Sequence, residues 1–144
     1  MAEKNETPIL NLKDLLDDDI NNIKRNPEAV VKLDVLSEEL GRDVYVKVRG
    51  MKNREYLKYG STKQGDSVLD NFDNNLMVVL NGVVDPDLHD KETRDRFGAR
   101  TPMELVEMLF QGSDMGKVTA KIQQLSGISD EDGNPRDVEG ETKN

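Results

Sequence analysis

The sequence predicts an α+β domain that is mostly α-helical, with one antiparallel β-hairpin packed against about four to five helices. Three observations lead there. Apolar and polar residues alternate in two short runs, at Val31, Leu33 and Val35 and at Val44, Val46 and Val48, the period of a half-buried strand. Beyond residue 53 the apolar residues instead recur every three or four positions, the period of an amphipathic helix. The helical stretches are separated by capping residues, glycines and prolines, so they read as several short helices rather than one long one.

The elements follow in order. Residues 11–25 read as a helix, with Asn11 as cap and Leu12, Leu15, Leu16, Ile20 and Ile23 on one face, stopped by Asn26-Pro27. Asp17, Asp18 and Asp19 crowd its other face. Residues 29–36 and 44–49 read as the two strands, joined by a loop, SEELGRD, that contains Gly41. Asn53 to Tyr59 is a short helix closed by Gly60. Ser67 caps a long helix to Asn81, with Asp70 three residues on, and Val68, Phe72, Leu76, Val79, Leu80 and Val83 share a face. Gly82 stands at its C-terminal cap and the turn Asp85-Pro86 follows. Asp90 to Phe97 is a short helix closed by Gly98. Thr101-Pro102-Met103-Glu104 forms a capping box with proline at the first helical position, and this helix runs to Phe110. Ser113 caps the last helix, whose seam is Met115, Val118, Ile122 and Leu125, and Gly127 closes it in a left-handed conformation. From Ser129 the chain is polar, acidic and rich in turn residues. The expected organisation is an acidic arm with an amphipathic helix over 1–26, a globular domain over 27–128 and a disordered acidic tail over 129–144.

Composition narrows the function. The 144 residues include no Cys, no Trp and a single histidine, His89. Thiol catalysis, disulfides and Cys-ligated metals are excluded, and a His-pair metal site has too few ligands. No apolar run approaches the roughly 20 residues of a membrane helix. Met1 to Asn11 is polar and acidic, unlike a secretory signal, and a reducing cytoplasm is the expected compartment. The net charge of −9 argues against general phosphate-backbone binding. It is uneven. Residues 1–41 carry five basic and ten acidic groups, residues 42–63 seven and two, and residues 64–144 eight and seventeen.

Four patterns resemble functional sites. Asp130, Asp132, Asn134 and Glu141 fall at ligand positions of an EF-hand loop, but Pro135 occupies the place of its glycine and no helix can follow. A solvated tail is the better reading. Gly112 to Lys117 imitates a phosphate loop, but its spacing is short and Val118 replaces the hydroxyl residue, so an interhelical turn is expected. Asp85, Asp87, His89 and Asp90 cluster without a nucleophile or second ligand set, and read as a turn and a helix cap. The island 42–63 interleaves Lys47, Arg49, Lys52, Arg54, Lys58 and Lys63 with Tyr45, Tyr56 and Tyr59, as in domains that stack and clamp single strands. It reads equally as the outer face of a hairpin, with Tyr56 and Tyr59 packing on the first helix, able to receive an acidic helix or the chain's own acidic arm.

The order of elements carries a resemblance. An apolar helix is followed by Val84-Asp85-Pro86-Asp87-Leu88, a charged helix ending Phe97-Gly98, then Thr101-Pro102-Met103-Glu104-Leu105-Val106-Glu107, then a helix ending Leu125-Ser126-Gly127. Together with the hairpin and Gly50-Met51-Lys52-Asn53-Arg54-Glu55-Tyr56, this resembles the XkdN-like tail assembly chaperones of bacteriophages and prophages with contractile tails, over roughly residues 30–128. Members often carry an L-P-G-E turn before the last helix, where this chain has Gln111-Gly112-Ser113-Asp114. The resemblance implies a non-enzymatic protein, with no catalytic residue, cofactor or metal. It would hold the tape measure protein in the cytoplasm of the bacterial host during tail assembly and be absent from the mature virion. Further implied partners are the tail tube protein and a frameshifted longer form of the chain itself; no membrane is expected, and nucleic acid belongs to the alternative reading. A chaperone of helical clients needs exposed adaptable apolar groups. Met103, Met108, Phe110 and Met115 are the candidates, with Tyr45, Lys47 and Arg49 on the strand; Leu105, Leu109, Ile122 and Leu125 read as core. The alternative is a small nucleic-acid-binding or regulatory phage protein acting through the island 42–63.

Overall fold

The computed structural model describes residues 7–17, 26–61, 63 and 67–129. These form a three-stranded antiparallel sheet and six α-helices, preceded by a four-residue 3-10 helix at Asp14–Asp17. The order is β1 (Glu28–Lys32), α1 (Asp34–Leu40), β2 (Tyr45–Arg49), α2 (Asn53–Gly60), α3 (Val68–Gly82), β3 (Val83–Asp85), α4 (Lys91–Phe97), α5 (Pro102–Leu109) and α6 (Ser113–Leu125). The class is α+β and mostly helical, as the sequence predicts.

β1 and β2 pair antiparallel, with Val30 opposite Lys47 and Lys32 opposite Tyr45. Two features depart from the expected hairpin. The first strand ends at Lys32, and Asp34–Leu40 is helical rather than strand and loop. Val31 and Leu33 keep the strand alternation, so the apolar pattern runs into Val35 without marking the change; Gly41, at φ 73°, ends the helix in the left-handed region. β3 is also additional: Val83–Asp85 leaves α3 and pairs with β2 on its free side, so β2 is the central strand.

The core lies on one face of this sheet. α6 packs on β1 and β2 and also against α1 and α3, while α5 packs on α3. Val48, Val79, Leu105, Val106, Val118 and Ile122 are completely buried. Each contributes roughly 1.5–3 kcal/mol relative to exposure, so an aliphatic core suffices without tryptophan. The long helix differs from its expected stripe: Val68 is exposed, Phe72 half-buried, and Val78 joins Leu76, Val79 and Leu80 in the core. Gly82 is the last helical residue rather than the cap, and its missing side chain lets Ile122 and Met51 approach.

The capping chemistry largely matches. Ser67 and Asp90 accept from the backbone N–H of Asp70 and Thr93, and Thr101 accepts from that of Glu104. The Glu104 carboxylate reaches back to the Arg100 N–H, one residue earlier than a capping box requires. Gly112, at φ 57°, and not Ser113, precedes α6. Gly98 and Gly127 both have positive φ, as expected at helix ends.

Candidate partner-binding surface

The described residues leave the second face of the sheet uncovered. Because side chains alternate along a strand, Glu28, Val30 and Lys32 of β1 share that face with Tyr45, Lys47 and Arg49 of β2. Val30 is 60% exposed and Tyr45 55%. Val84, at the irregularity where β3 meets β2, is exposed beside them. These apolar groups sit among ion pairs. Lys32 meets Asp43 at 3.2 Å and Lys47 meets Glu28 at 3.9 Å, with both partners in each pair well exposed.

Arg49 has a different role. Its guanidinium donates twice to the Glu55 carboxylate, at 2.8 and 2.6 Å, and to the backbone oxygens of Gly50 and Asn81 at 3.2 and 3.0 Å. It fastens β2 to α2 and to the end of α3. The three outward cations of the strands therefore already have carboxylate partners, which weakens the case for a polyanion site. Tyr56 and Tyr59 pack against the core, and the Tyr56 hydroxyl accepts from Gln123 of α6 at 2.7 Å.

Hydrogen bonds from Arg49 hold the Glu55 carboxyl below its ordinary value of 4.5. A carboxylate whose folded pKa is lowered stabilises the fold above its unfolded pKa, and that contribution is lost as pH falls through the folded value. Glu55→Gln is therefore expected to destabilise at pH 7 and to lose that handicap progressively below about pH 4.5. Urea midpoints of both proteins at pH 7 and pH 3 test this; a gap that is no smaller at pH 3 than at pH 7 would contradict it.

The methionine-bearing helices divide. Met108 is exposed and Met103 half-buried, whereas Phe110 and Met115 lie in the core and present no surface to a partner. Met115 lies on the seam of α6 that its spacing with Val118 and Ile122 marks, so its burial agrees with the periodicity and not with a partner-binding role. Leu105 and Ile122 are core, as expected, and Leu109 and Leu125 pack against it partly buried. Other exposed apolar side chains are Leu40 at the end of α1, Leu57 of α2, Val68 and Leu69 at the start of α3, and Phe97 of α4.

The N-terminal arm adds another apolar surface. Asn11 accepts from the Lys13 N–H at 2.9 Å and a 3-10 turn follows to Asp17, in place of the α-helical start expected there. Ile9, Leu10, Leu12 and Leu16 all remain exposed. The rest of the expected helix, the calcium-like pattern from Asp130 to Glu141, and nearly all of the acidic tail lie outside the described residues.

The remaining patterns resolve into structure. Asp90 caps α4 and the His89 N–H donates to Asp87. Among the described residues, no group of three or more His, Cys, Asp or Glu side chains is placed to hold a metal. No described helix is long and apolar enough to cross a membrane. The first turn of α6 carries a residue that the sequence reading missed. Asp114 is completely buried, and its two carboxylate oxygens accept from the backbone N–H groups of Val35 and Leu36, each at 3.0 Å. It caps α1 from 79 residues away. An acid just after a helix cap reads locally as a first-turn residue facing the helix's own amides, and no signal in the sequence marks so distant a partner.

The geometry thus defines a small α+β protein with exposed apolar surfaces set among charges. Its fold is similar to the crystal structure of the protein yqbn, a structural genomics target, with a TM-score of 0.54, 15% identity, and coverage of 71% of this chain and 86% of that one. Residues 12–140 match the phage XkdN-like tail assembly chaperone protein family, and the chain belongs to that family. No curated protein matches it.

Proposed function

We propose that this protein binds the tape measure protein during assembly of a contractile phage tail and releases it as the tail tube closes around it. The family match over residues 12–140 carries the reading. The action is by contact and not by catalysis, within the host cytoplasm. Further contacts are with tail tube subunits and with a frameshifted longer form of the chain. Its physical basis is a client with long apolar helical faces, which needs a soluble cover until its permanent neighbours arrive. Apolar groups such as Val30, Tyr45, Leu57 and Met108 offer contact, and the surrounding charge, net −9 overall, keeps the complex dispersed.

Co-expression with the long helical protein encoded beside it in its phage or prophage genome is expected to yield a soluble complex that co-purifies through size exclusion. A client that stays insoluble, with this protein eluting alone, would overturn the proposal.

A further inference from the structure

Among the described residues the sheet ends at β1, the outer strand of the order β1-β2-β3. The register shows which of its backbone groups are free. The Leu33 N–H donates to the Val44 oxygen and the Gly50 N–H to the Pro27 oxygen, so the residues of β1 bonded to β2 are the alternate ones, Ala29 and Val31. The N–H and C=O groups of Glu28, Val30 and Lys32 therefore point away from β2, and among the described residues no backbone group meets them. The strand has neither the bulge nor the outward-pointing proline that commonly guards an edge. Its guard is charge: Glu28 stands at one end, Lys32 at the other, and the exposed Val30 between them. That order disfavours most strands and admits one that presents it in reverse.

We propose that β1 pairs antiparallel with β1 of a second copy, across a two-fold axis at Val30, so that two sheets become one. The second copy is the occupant because this edge is its own complement. In the register centred on Val30, Val30 meets Val30 of the second copy, and Glu28 meets Lys32 of the second copy at each end. The three outward-pointing residues then all form hydrogen-bonded pairs, each exchanging two backbone bonds. Other registers are poorer. A slide of one residue sets outward-pointing groups against inward-pointing ones. A slide of two sets a charged residue opposite Val30, and a slide of four sets Glu28 against Glu28 or Lys32 against Lys32. The ion pairs already made within each chain need not break. Lys47 approaches one Glu28 oxygen only to 3.9 Å, leaving the second oxygen, and Lys32, 3.2 Å from Asp43, has further ammonium donors. The pairing is isologous and closes, covering each β1 edge with the other. This inference does not depend on which client the protein binds.

Sedimentation equilibrium of the full chain tests it. The wild type is expected to dimerise with a dissociation constant of about 10–100 µM, as fits a small transient interface. Glu28→Lys and Lys32→Glu each set like charges against one another at both ends of the pairing, and each is expected to raise that constant roughly tenfold. Mixed in equal amounts, the two variants are complementary, and a heterodimer of wild-type strength is expected. Val30→Pro removes an N–H that serves only the outer edge, so the dimer should be lost while the circular dichroism spectrum of the monomer is kept. The charge variants alter only side chains in solvent-exposed pairs, so they decide the matter even where the proline perturbs the monomer. A wild type that stays monomeric at millimolar concentration overturns the proposal, including the case in which the chain covers its own edge. A dimer that survives Val30→Pro, or charge variants that fail to complement each other, overturns it equally.

Discussion

Asp114→Ala is expected to destabilise the fold by about 4 kcal/mol, from the loss of two hydrogen bonds to a charged acceptor and the stranding of two helix N-terminal donors. The argument starts at Leu33. It occupies the N-cap position of α1, where Ser, Thr, Asp or Asn would normally accept from the second and third helical N–H groups. Leu33 is buried in the core and supplies no cap. Asp114 does so instead, taking the Val35 and Leu36 N–H groups, one on each oxygen. A seven-residue helix has little stability of its own, so α1 depends on this contact and on its packing against α6. The Lys117–Asp34 pair at 2.9 Å adds a second tie between the same helices, but it is exposed and cannot replace the cap. Asp114→Asn should fall between wild type and alanine: the amide keeps one acceptor oxygen, loses the charge and brings donors that need partners. Urea denaturation of the three proteins checks the order, and hydrogen exchange should show the α1 amides losing protection first. Equal midpoints for Asp114→Ala and wild type would show that the cap contributes nothing.

How far the fold was legible follows from the range of the interactions involved. Ser67, Asp90 and Thr101 act on amides three residues away, and sequence reveals such caps because donor and acceptor travel together. The pairing of β1 with β2 was legible for the same reason, since their alternation appears within each strand. α1 was not, because Val31, Leu33 and Val35 preserve the strand period across a helix start that Asp114 stabilises from the distant first turn of α6. β3 was not, because a three-residue strand is too short to show a period and exists through its pairing with β2. The candidate surface was legible in part. Tyr45, Lys47 and Arg49 do share a strand face, but Arg49 is committed to Glu55 and the end of α3. Phe110 was indistinguishable in sequence from Met108, because whether an apolar residue beside a helical seam meets the core depends on where the neighbouring helix crosses, whereas the seam of α6 already marked Met115 as core.

Gly50→Ala is expected to cost about 2–4 kcal/mol, the upper end for forcing a single methyl into a packed interior. The cause is contact rather than backbone conformation. An alanine Cβ at this position would lie 2.5 Å from the Leu125 carbonyl oxygen and 2.7 Å from its carbon, both backbone atoms that no rotamer change can withdraw. The segment cannot easily shift away, because the Gly50 N–H donates to the Pro27 oxygen at 2.8 Å, and the Met51 N–H donates to Ser126 Oγ at 2.8 Å. Ser126 Oγ in turn donates to the Ile122 oxygen at 2.6 Å. Relieving the clash means moving the end of α6 off the sheet and breaking the Met51–Ser126 bond, a further loss of about 1 kcal/mol. Gly82→Ala is the informative comparison. Its Cβ would also meet an atom at 2.5 Å, but that atom is Ile122 Cδ1, the far end of a side chain, which can rotate. Alanine also favours the helix by up to about 1 kcal/mol relative to glycine, which offsets part of the crowding. Gly50→Ala should therefore show the lower denaturation midpoint of the two at an unchanged slope. Equal losses would mean that the end of α6 yields as readily as a side chain, and that the close approach of helix and strand at Gly50 is not a rigid feature of the fold.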